Sequence, residues 1–599
     1  MQSSPKPSHE GPDGALPGFV AVERDAPTLD GMLGSQEGLT TSICGAAKLT
    51  SWDVTSLSEK HSIFALSRVM RTESGAVSPE EIAEGMRHNP AGLTRLLPPF
   101  AAVRGDEQGV TMVADAMGFR QLYHSVPDAP GAPVLSTSAL FAGWIRGAEL
   151  DPAAVAVQSL LGWQLGQRTL FRGVEKLDPG AVAHLDAEGV HVAATARKPE
   201  ERMSLEDAVT AAARVLRVSL EALLDDHPEA VLQLTGGQDS RLLLSAIPKA
   251  RRRGLRAMTL GVSGSGDVTV ARQLAERNGL RHEVRGLAAL DGLTAAAGWD
   301  LVQRAAMRLD GMSDPIALAA LTVAEGGFDQ GVRISGLGGE IARGFYYVGG
   351  VRERSFTRKD ATTLAAWRMF VNEAVEPGLL DPEFSAWARA TADDEVASAL
   401  SKGGDEWFRA TDELYLRHRM QRWAGVTDTA VGAQRTVINP MLCQEFLSIA
   451  SRLSPMDKAH ARFLARLQME LDPELGRIPL EGRTAPIATA YPTPWRSAVG
   501  ALGTGRRLAR KVGQRIRRGN RPPAGGSVLA GKVVAHWREH PELLSATALS
   551  AFVRPDWIDS VIDGRLHPRP SSVAFLTNLI VASGGHRAPI SRDVRAGAQ

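Results

Sequence analysis

Two patterns of hydrophobic and polar residues divide the chain. Between Gly18 and about Leu185, short apolar runs alternate with turn residues. The runs FAAV and VTMVA, which lie on either side of GDEQG, predict a β-hairpin. Several runs of this kind predict a largely β domain that contains a few helices.

From Ser204 onward, long amphipathic segments alternate with short apolar ones. LEDAVTAAARVLRVSLEALL has apolar residues at helical spacing, whereas AVLQL and AMTLGV are short strand-like runs that lead into glycine. This alternation predicts an α/β domain built on a doubly wound parallel sheet. The stretch from Asp412 to about Leu475 is predicted to be helical throughout.

Length and charge narrow the picture. The chain has 599 residues, more than one hydrophobic core usually supports, which predicts two or three domains. Its 68 basic and 67 acidic residues give a net charge of +1, so no overall field attracts a membrane or nucleic acid. It has two cysteines, no signal-peptide-like start and no apolar run of bilayer length. We therefore expect a cytoplasmic protein with neither a membrane nor a nucleic acid as partner.

A glycine-rich turn follows the first apolar run of the second part. In VLQLTGGQDSRLLLSAI, a strand that ends at Leu234 leads through TGGQDS into an apolar helix. Two adjacent glycines let an anionic oxygen approach the backbone, next to the positive end of the helix. Asp239 would be poorly placed against bare phosphate unless a divalent cation lies between them. The same letters also fit an ordinary turn with a helix cap, so other segments must decide.

Further segments, in chain order, favour the phosphate interpretation. TGGQDS resembles the SGGxDS loop of ATP-pyrophosphatase enzymes, and AMTLGVSGSGDVTVARQLAERNGLRHEV is similar to the second strand, loop and helix of asparagine synthetases. RISGLGGEIARGFYY is similar to that family's SGEGSDExFGGY, and INPMLCQEFLSIASRLSPMDK to one of its helical segments. The resemblance implies an adenine nucleotide α-hydrolase-like synthetase domain with helical additions, which uses ATP and Mg²⁺.

The resemblance also implies which residues form the site. The implied nucleotide-binding positions are Leu234, Thr235, Gly236, Gly237, Asp239, Ser240, Leu260, Gly261, Ser335 and Gly336. The strand end at Leu260 and Gly261 would border the adenine. Asp239 and Glu340 are the implied metal ligands, and together with Arg483 they are the implied catalytic residues.

The amino-terminal part resembles the glutaminase domain of the same family. MVADAMGFRQLYHS is like the RDxxGxxPLY strand, and SALFAGWIRGAELDPAAV with RTLFRGVEKLDPGAVAHL matches the end of that domain. The resemblance implies an Ntn-glutaminase-like α+β fold. Family members that use glutamine begin with Cys directly after the initiator Met, because the free α-amine activates the thiol.

This chain departs from the glutaminase pattern. Gln2 follows Met1, and Pro17 or Gly18 falls at the nucleophile's place. Cys44 could serve as an amino-terminal nucleophile only after removal of everything before it, so a buried core thiol is the favoured interpretation. No NGExYN-like stretch is present to hold glutamine. We expect this domain to be degenerate and to act as a scaffold.

The synthetase part departs as well. Glu340 stands where the family usually has a second metal-binding Asp, which keeps the carboxylate. Leu337 replaces a Glu that helps the family recognise aspartate. The family's lysine at the acyl-adenylate would fall near RIPLEGRTAP, where Arg477 and Arg483 are the only cations. Arg483 supplies positive charge but not a proton-transferring amine.

The resemblance implies a ligase that forms an acyl-adenylate and transfers it to an amine, releasing pyrophosphate and AMP. Without a glutaminase, the amine belongs to the substrate or is free ammonia. The first case is that of the β-lactam synthetase and lasso-peptide macrolactam synthetase branches, and Leu337 in place of a Tyr favours the second branch. A small-molecule or peptide carboxylate would be the substrate, with a precursor peptide and its leader-processing protein as partners of a macrolactam synthetase. Asparagine synthesis from ammonia or another amine and an inactive nucleotide-binding scaffold stay open. So does an enzyme that modifies tRNA, although such ATP-pyrophosphatases normally have reactive cysteines or a dedicated RNA domain and this chain has two cysteines.

The predicted domain boundaries follow from these patterns. Residues 1–16 are predicted to be a disordered tail, 17–195 the glutaminase-like domain, 203–500 the synthetase domain, and 501–599 a basic linker with a helical extension. The run GRRLARKVGQRIRRGNRPP, at 505–523, is typical of a solvated face. It could instead bind an acidic leader peptide or another polyanion.

Overall fold

The computed structural model describes residues 16–26, 39–58, 62–68, 70–127, 129–194, 201–262, 264–326, 328, 331–347, 350–492, 525–545 and 547–584. Nearly all of the predicted tail, residues 195–200 at the boundary between the two predicted domains and the basic run 505–523 lie outside these residues. Within them, no helix combines the length and the apolarity needed to cross a bilayer.

The amino-terminal part is built on antiparallel strands. Their bounds are β1 Gly18–Glu23, β2 Thr40–Cys44, β3 Ala47–Trp52, β4 Thr55–Ser56, β5 Ser62–Ala65, β6 Arg71–Thr72, β7 Gly75–Ala76, β8 Ala101–Asp106, β9 Gly109–Ala114, β10 Tyr123–Ser125, β11 Val134–Ser136, β12 Val174–Lys176, β13 Val182–Asp186 and β14 Gly189–Ala193. One sheet has the order β12-β10-β11-β1-β3-β2 and a second the order β14-β13-β9-β8-β5-β4. The predicted hairpin is confirmed, since β8 pairs antiparallel with β9.

These two sheets pack face to face. Phe19 and Leu49 of the first sheet share an apolar core with Val103 and Met112 of the second. Side chains alternate along a strand, so each sheet also has an outer face. Both outer faces are apolar, and each is covered by helices. Pro79–His88 covers the second sheet, and the first sheet is covered by the helices Ala139–Ile145 and Pro152–Leu161. The predicted α+β domain is thus a helix-sheet-sheet-helix sandwich.

The second part contains a five-stranded parallel sheet. Its strands are β15 Val231–Gln233, β16 Arg256–Leu260, β17 Arg281–Arg285, β18 Val332–Ile334 and β19 Thr436–Ile438. The order is β17-β16-β15-β18-β19, and every neighbouring pair is parallel. From β15 the chain adds β16 and β17 on one side, and it then adds β18 and β19 on the other side. The switch point therefore lies between β15 and β18. In doubly wound sheets, ligands bind beyond the carboxyl ends of the strands at such a switch point.

Helices surround this sheet. The α-helices from the start of this part are Leu205–Asp226, Asp239–Ala246, Lys249–Arg252, Gly266–Asn278, Ala295–Arg308, Pro315–Glu325, Arg358–Leu364, Pro382–Ser401, Trp407–Leu414, Val426–Val431, Gln444–Arg452, Pro455–Lys458, Arg462–Leu471, Pro486–Ala490, Gly526–Glu539, Thr547–Ser550, Pro555–Ile562 and Pro570–Ala582. Wider π-helical turns occupy Ala365–Met369 and Tyr415–Gly425. Short 3₁₀ turns occupy Pro90–Arg95, Ala288–Leu290, Gly339–Ala342, Pro440–Leu442, Ala459–Ala461, Leu475–Arg477 and Pro541–Ser545.

The prediction of unbroken helix from Asp412 to Leu475 is wrong. Residues Thr436, Val437 and Ile438 form β19, the edge strand next to β18. These three side chains are β-branched and favour extended backbone. Helical periodicity on both sides hid this short strand, because its register depends on β18, which lies about a hundred residues earlier.

Candidate functional site

Two loops meet at the carboxyl edge of the parallel sheet. The first follows β15 and contains Gly236 and Gly237, and the second follows β18 and contains Gly336 and Gly339. A Cβ atom at Gly336 would lie 2.8 Å from the backbone nitrogen of Ser240, and one at Gly339 would collide with the Asp239 carboxylate. Glycine at both positions is therefore what lets the second loop close on the first.

The hydroxyl groups of the first loop hold its turn. The backbone N–H of Thr235 donates to Oγ of Ser240 at 3.0 Å, and the two hydroxyl oxygens are also 3.0 Å apart. The Gly237 N–H donates to the Thr235 hydroxyl at 3.1 Å. The helix then begins at Asp239, as the sequence predicts. These contacts fix the backbone in the conformation that exposes the start of the helix to the sheet edge.

One amide of this loop has a partner that the sequence did not indicate. The Gly236 N–H donates to the Asp267 carboxylate at 2.7 Å, and Asp267 lies in the first turn of the helix Gly266–Asn278. Burial raises the pKa of Asp267, the bond from Gly236 opposes that shift, and nearby Glu481 adds to it. An anionic ligand that uses the Gly236 amide would have to take the place of this carboxylate.

Asp239 and Glu340 lie together, joined by an arginine. Nη1 of Arg343 is 3.4 Å from Oδ2 of Asp239, and Nη2 is 2.8 Å from Oε1 of Glu340. Burial raises the pKa of Asp239, and the negative charge of Glu340 raises it further, while Arg343 and Arg483 act against the shift. Burial alone would lower the pKa of Arg343, but the two carboxylates outweigh it and raise that pKa. The positive charge of Arg343 thus offsets the repulsion between the two carboxylates.

The other oxygen of each carboxylate bears on metal binding. Oδ1 of Asp239 and Oε2 of Glu340 are buried, and neither accepts a hydrogen bond from the residues that the structure describes. Buried polar atoms without a partner are uncommon, and carboxylate oxygens are the ligands that Mg²⁺ prefers. The pair predicted to hold the metal therefore fits a divalent cation.

Arg483 comes from a segment that runs beside the first loop. Its charge reaches Asp239, whose pKa it lowers, and its side chain is exposed. The Glu481 N–H donates to the Gly236 carbonyl at 3.0 Å, which ties this segment to the loop. Buried Arg241 anchors the other side by donating to the carbonyls of Ile478 and Pro479. The structure thus places Arg483 within electrostatic reach of Asp239, and its catalytic role stays a prediction.

The other predicted positions surround the same edge. Leu234 is fully buried, and its N–H donates to the Met258 carbonyl at 2.8 Å, which brings the ends of β15 and β16 together. Leu260 and Gly261 lie at the end of β16, and their contact with an adenine stays a prediction. Ser335 accepts a bond from the Leu337 N–H at 3.2 Å, within the second loop.

Sequence reasoning missed Arg343, Asp267, Glu481 and Arg241. Only Arg343 had a local signal, since it lies three residues after Glu340 and the two side chains form an ion pair on one short turn. The contacts of the other three cross 31 to more than 200 residues of sequence. Such partners become visible only when the parallel sheet has brought the loops together.

The start of β1 offers no comparable site. A Cβ atom at Gly18 would collide with the Trp52 ring and approach the Thr137 hydroxyl to 2.8 Å. The Pro17 carbonyl accepts a bond from buried Arg120. Cys44 is buried, and burial, with a smaller contribution from Asp106, raises the pKa of its thiol to about 11. The interpretation of Cys44 as a core thiol is confirmed.

Comparison with known proteins adds little detail. No protein-family model and no curated protein matches the chain. Glutamine phosphoribosylpyrophosphate amidotransferase from B. subtilis, complexed with ADP and GMP, aligns at 10% identity and a TM-score of 0.19 over 45% of this chain. A structure of the allosteric regulatory enzyme of purine biosynthesis aligns with the same identity, TM-score and share of this chain. The alignments cover 60% and 75% of those two chains. A TM-score of 0.19 is too low for these alignments to indicate the function of the chain.

Proposed function

We propose that this chain is an ATP-dependent carbon–nitrogen ligase of the asparagine synthetase kind. It would join a carboxylate to an amine through an acyl-adenylate, with release of pyrophosphate and AMP. The observation that carries the proposal is the meeting of Asp239 and Glu340 at the switch point of the parallel sheet, each with one buried and unpartnered oxygen. Two carboxylates at this place suit a nucleotide whose phosphates arrive with a divalent cation.

Each part of the site has a role in this reaction. Asp239 and Glu340 would hold Mg²⁺, which when bound neutralises charge on the departing pyrophosphate. The start of the helix at Asp239 would face the phosphate oxygens, and the Gly236 amide would join it once the Asp267 carboxylate is displaced. The substrate carboxylate attacks the α-phosphorus, and the amine then attacks the acyl carbon and displaces AMP. The positive charge of Arg483 would stabilise the oxyanion that forms in the second step.

The nitrogen source follows from the amino-terminal domain. Because Gly18 has no room for a side chain and the Cys44 thiol is buried, neither position supports glutamine hydrolysis. The amine therefore belongs to the substrate itself or is free ammonia. The absence of a carboxylate at Leu337 disfavours aspartate as substrate. We favour a peptide that carries both the carboxylate and the amine, which makes the product a macrolactam of the lasso type and gives the chain a precursor peptide and its leader-processing protein as partners.

A nucleotide-binding scaffold is the rival that specific contacts favour. Arg343 pairs with both carboxylates, and Asp267 occupies the Gly236 amide. If those contacts persist when nucleotide binds, the loop holds ATP without cleaving it. Binding and cleavage must therefore be measured separately.

The test is pyrophosphate and AMP release in the parent and in Asp239→Ala. Reactions contain Mg·ATP with either aspartate and ammonium chloride or short peptides that carry an acidic side chain and a free amine. We expect substrate-dependent release by the parent and none by Asp239→Ala, whereas Asp225→Ala, which changes an exposed aspartate paired with Arg251, keeps the parent rate. Equal release by Asp239→Ala would refute the ligase. ATP binding with no release under any condition would favour the scaffold.

A further inference from the structure

Two histidines and a glutamate meet at the end of a helix far from the sheet edge in sequence. His536, Glu539 and His540 lie at the carboxyl end of Gly526–Glu539, and their potential ligand atoms are all within 4.8 Å of one another. Positions three and four apart share one helical face, so these side chains project in the same direction. Among the residues that the structure describes, this is the one group of three or more His, Cys, Asp and Glu side chains with such spacing.

Packing fixes the two imidazole rings. The His536 ring stacks on Trp299 of the helix Ala295–Arg308, with ring centroids 5.8 Å apart and an interplanar angle of 17°. The His540 ring lies 4.5 Å from the His536 ring, centroid to centroid. A ring held by an aromatic neighbour loses little freedom when it binds a ligand. The pair is therefore organised before any ligand arrives.

The second nitrogen of each ring supports metal binding. Nδ1 of His540 lies 3.2 Å from the Glu542 carboxylate, which can accept a hydrogen bond from the Nδ1–H and so leave Nε2 as a lone-pair donor. Histidine ligands of metals typically donate their other N–H to a carboxylate in this way. Nδ1 of His536 is buried and has no hydrogen-bond partner in the described part of the chain.

Charge around the group is also suitable. Glu539 and His540 are exposed, so an ion can reach them from solvent. The neighbouring Arg538 does not compete, because its guanidinium donates to the carbonyl of Val561 at 2.9 Å. Glu542 lies beside His540, and Glu539 lies within 4.8 Å of the potential ligand atoms of both histidines.

We propose that His536, Glu539 and His540 bind one transition-metal ion of the Zn²⁺ class. Two imidazole nitrogens and one carboxylate oxygen make a donor set that suits Zn²⁺ and is poor for Mg²⁺. Three protein ligands leave one coordination position for water or for a group from another molecule. The bound ion fixes the last turn of Gly526–Glu539 where that helix packs on Ala295–Arg308. The site is separate from Asp239 and Glu340 and does not depend on the proposed ligase activity.

Zn²⁺ binding to the full-length, metal-stripped protein tests this site. Zn²⁺ is titrated against a chromogenic chelator in excess Mg²⁺, which keeps Asp239 and Glu340 from contributing. We expect one tightly bound equivalent in the parent and at least a tenfold weaker affinity in His540→Ala and in Glu539→Gln. Glu542→Gln should weaken binding by about tenfold, as loss of the carboxylate behind a histidine ligand does. His88→Ala is the matched control, because His88 is exposed and pairs with Glu84 alone in a similar i,i+4 arrangement.

Co²⁺ spectra give a second measurement, made on a variant that is expected to keep the fold of the parent. Visible absorption of the Co²⁺-loaded parent should show a low-symmetry site, and Glu539→Gln, which alters only an exposed side chain, should lose those bands. If the parent binds no equivalent of Zn²⁺, or if His540→Ala and Glu539→Gln bind as tightly as the parent, the site does not exist. Loss in the His88→Ala control to the same degree would equally overturn it.

Discussion

The resemblance puts catalytic groups at two places, the carboxyl edge of the parallel sheet and the start of β1. The two places differ in which atoms fill the space beside their glycines. At the sheet edge, Gly336 and Gly339 leave the room that Asp239 and Ser240 occupy. At β1, the room in front of Gly18 is filled by Trp52. The first place keeps unpartnered charged oxygens, and the second is packed as core.

Under the proposed function, this difference means that a domain can keep a packed architecture without a catalytic group. The sandwich around β1 has buried both of its sheets, so its stability does not depend on a nucleophile. The sheet edge, by contrast, holds two carboxylates close together and needs Arg343 to offset their repulsion. Such an arrangement costs stability, which is typical of a site retained for function.

The largest expected effect concerns Glu340. Replacing the Glu340 carboxylate, one of the two proposed Mg²⁺ ligands, by an amide should remove about 3–4 kcal/mol of transition-state stabilisation. This loss corresponds to roughly 10²- to 10³-fold in rate. Glu340→Gln should therefore slow pyrophosphate release by that factor, while Glu340→Asp, which keeps the carboxylate, should retain much more activity. The measurement is pyrophosphate release at saturating Mg·ATP, repeated over a Mg²⁺ titration. A Glu340→Gln variant as fast as the parent at every Mg²⁺ concentration would mean that Glu340 is not a ligand.

A smaller effect is expected from Arg343, and it appears in stability rather than rate. Arg343→Gln leaves two partly buried carboxylates unshielded, which should lower the free energy of unfolding by about 3 kcal/mol without metal. Mg²⁺ should restore much of that loss, since an ion bound only by the folded state stabilises it. Urea unfolding with and without Mg²⁺ measures both quantities. Arg358→Gln, which removes an exposed pair with Asp394, should change neither. Equal Mg²⁺ responses in Arg343→Gln and the parent would argue against a metal between the two carboxylates.

The sequence predicted this edge better than it predicted the contacts that support it. TGGQDS marks the end of β15 and the start of the next helix because two adjacent glycines are a local turn signal, although Gln238 at the N-cap makes no side-chain capping bond. The hairpin β8-β9 and the long helix Leu205–Asp226 were equally local, the helix being capped by Ser204. The strand β19 and the bond from Gly236 to Asp267 depend on pairing across the fold, which periodicity does not encode.

A cysteine placed at the start of β1 tests whether this position can hold a nucleophile. Gly18→Cys places a side chain against Trp52 and Thr137, so overpacking should lower the free energy of unfolding by about 1–3 kcal/mol. No glutaminase activity should appear, because the thiol would lie among packed side chains. Unfolding in urea and glutamate release from glutamine measure the two expectations. Gly350→Cys is a control, since a Cβ there meets nothing within 4 Å. Glutamate release by Gly18→Cys would show that the domain lacks only its nucleophile.

The smallest expected effect belongs to Cys44. Its thiol packs against Gly105, where an added Cβ would lie 2.5 Å from the sulfur, and burial raises its pKa to about 11. At neutral pH the group is therefore a protonated core side chain, and the thiolate that catalysis needs is almost absent. Cys44→Ala should lower the free energy of unfolding by about 1 kcal/mol, through the small cavity it leaves, and should leave pyrophosphate release unchanged. Neither the parent nor the variant should release glutamate from glutamine. Glutamate release that disappears in Cys44→Ala would contradict the burial of the thiol and would make the amino-terminal domain, rather than the substrate, the source of nitrogen.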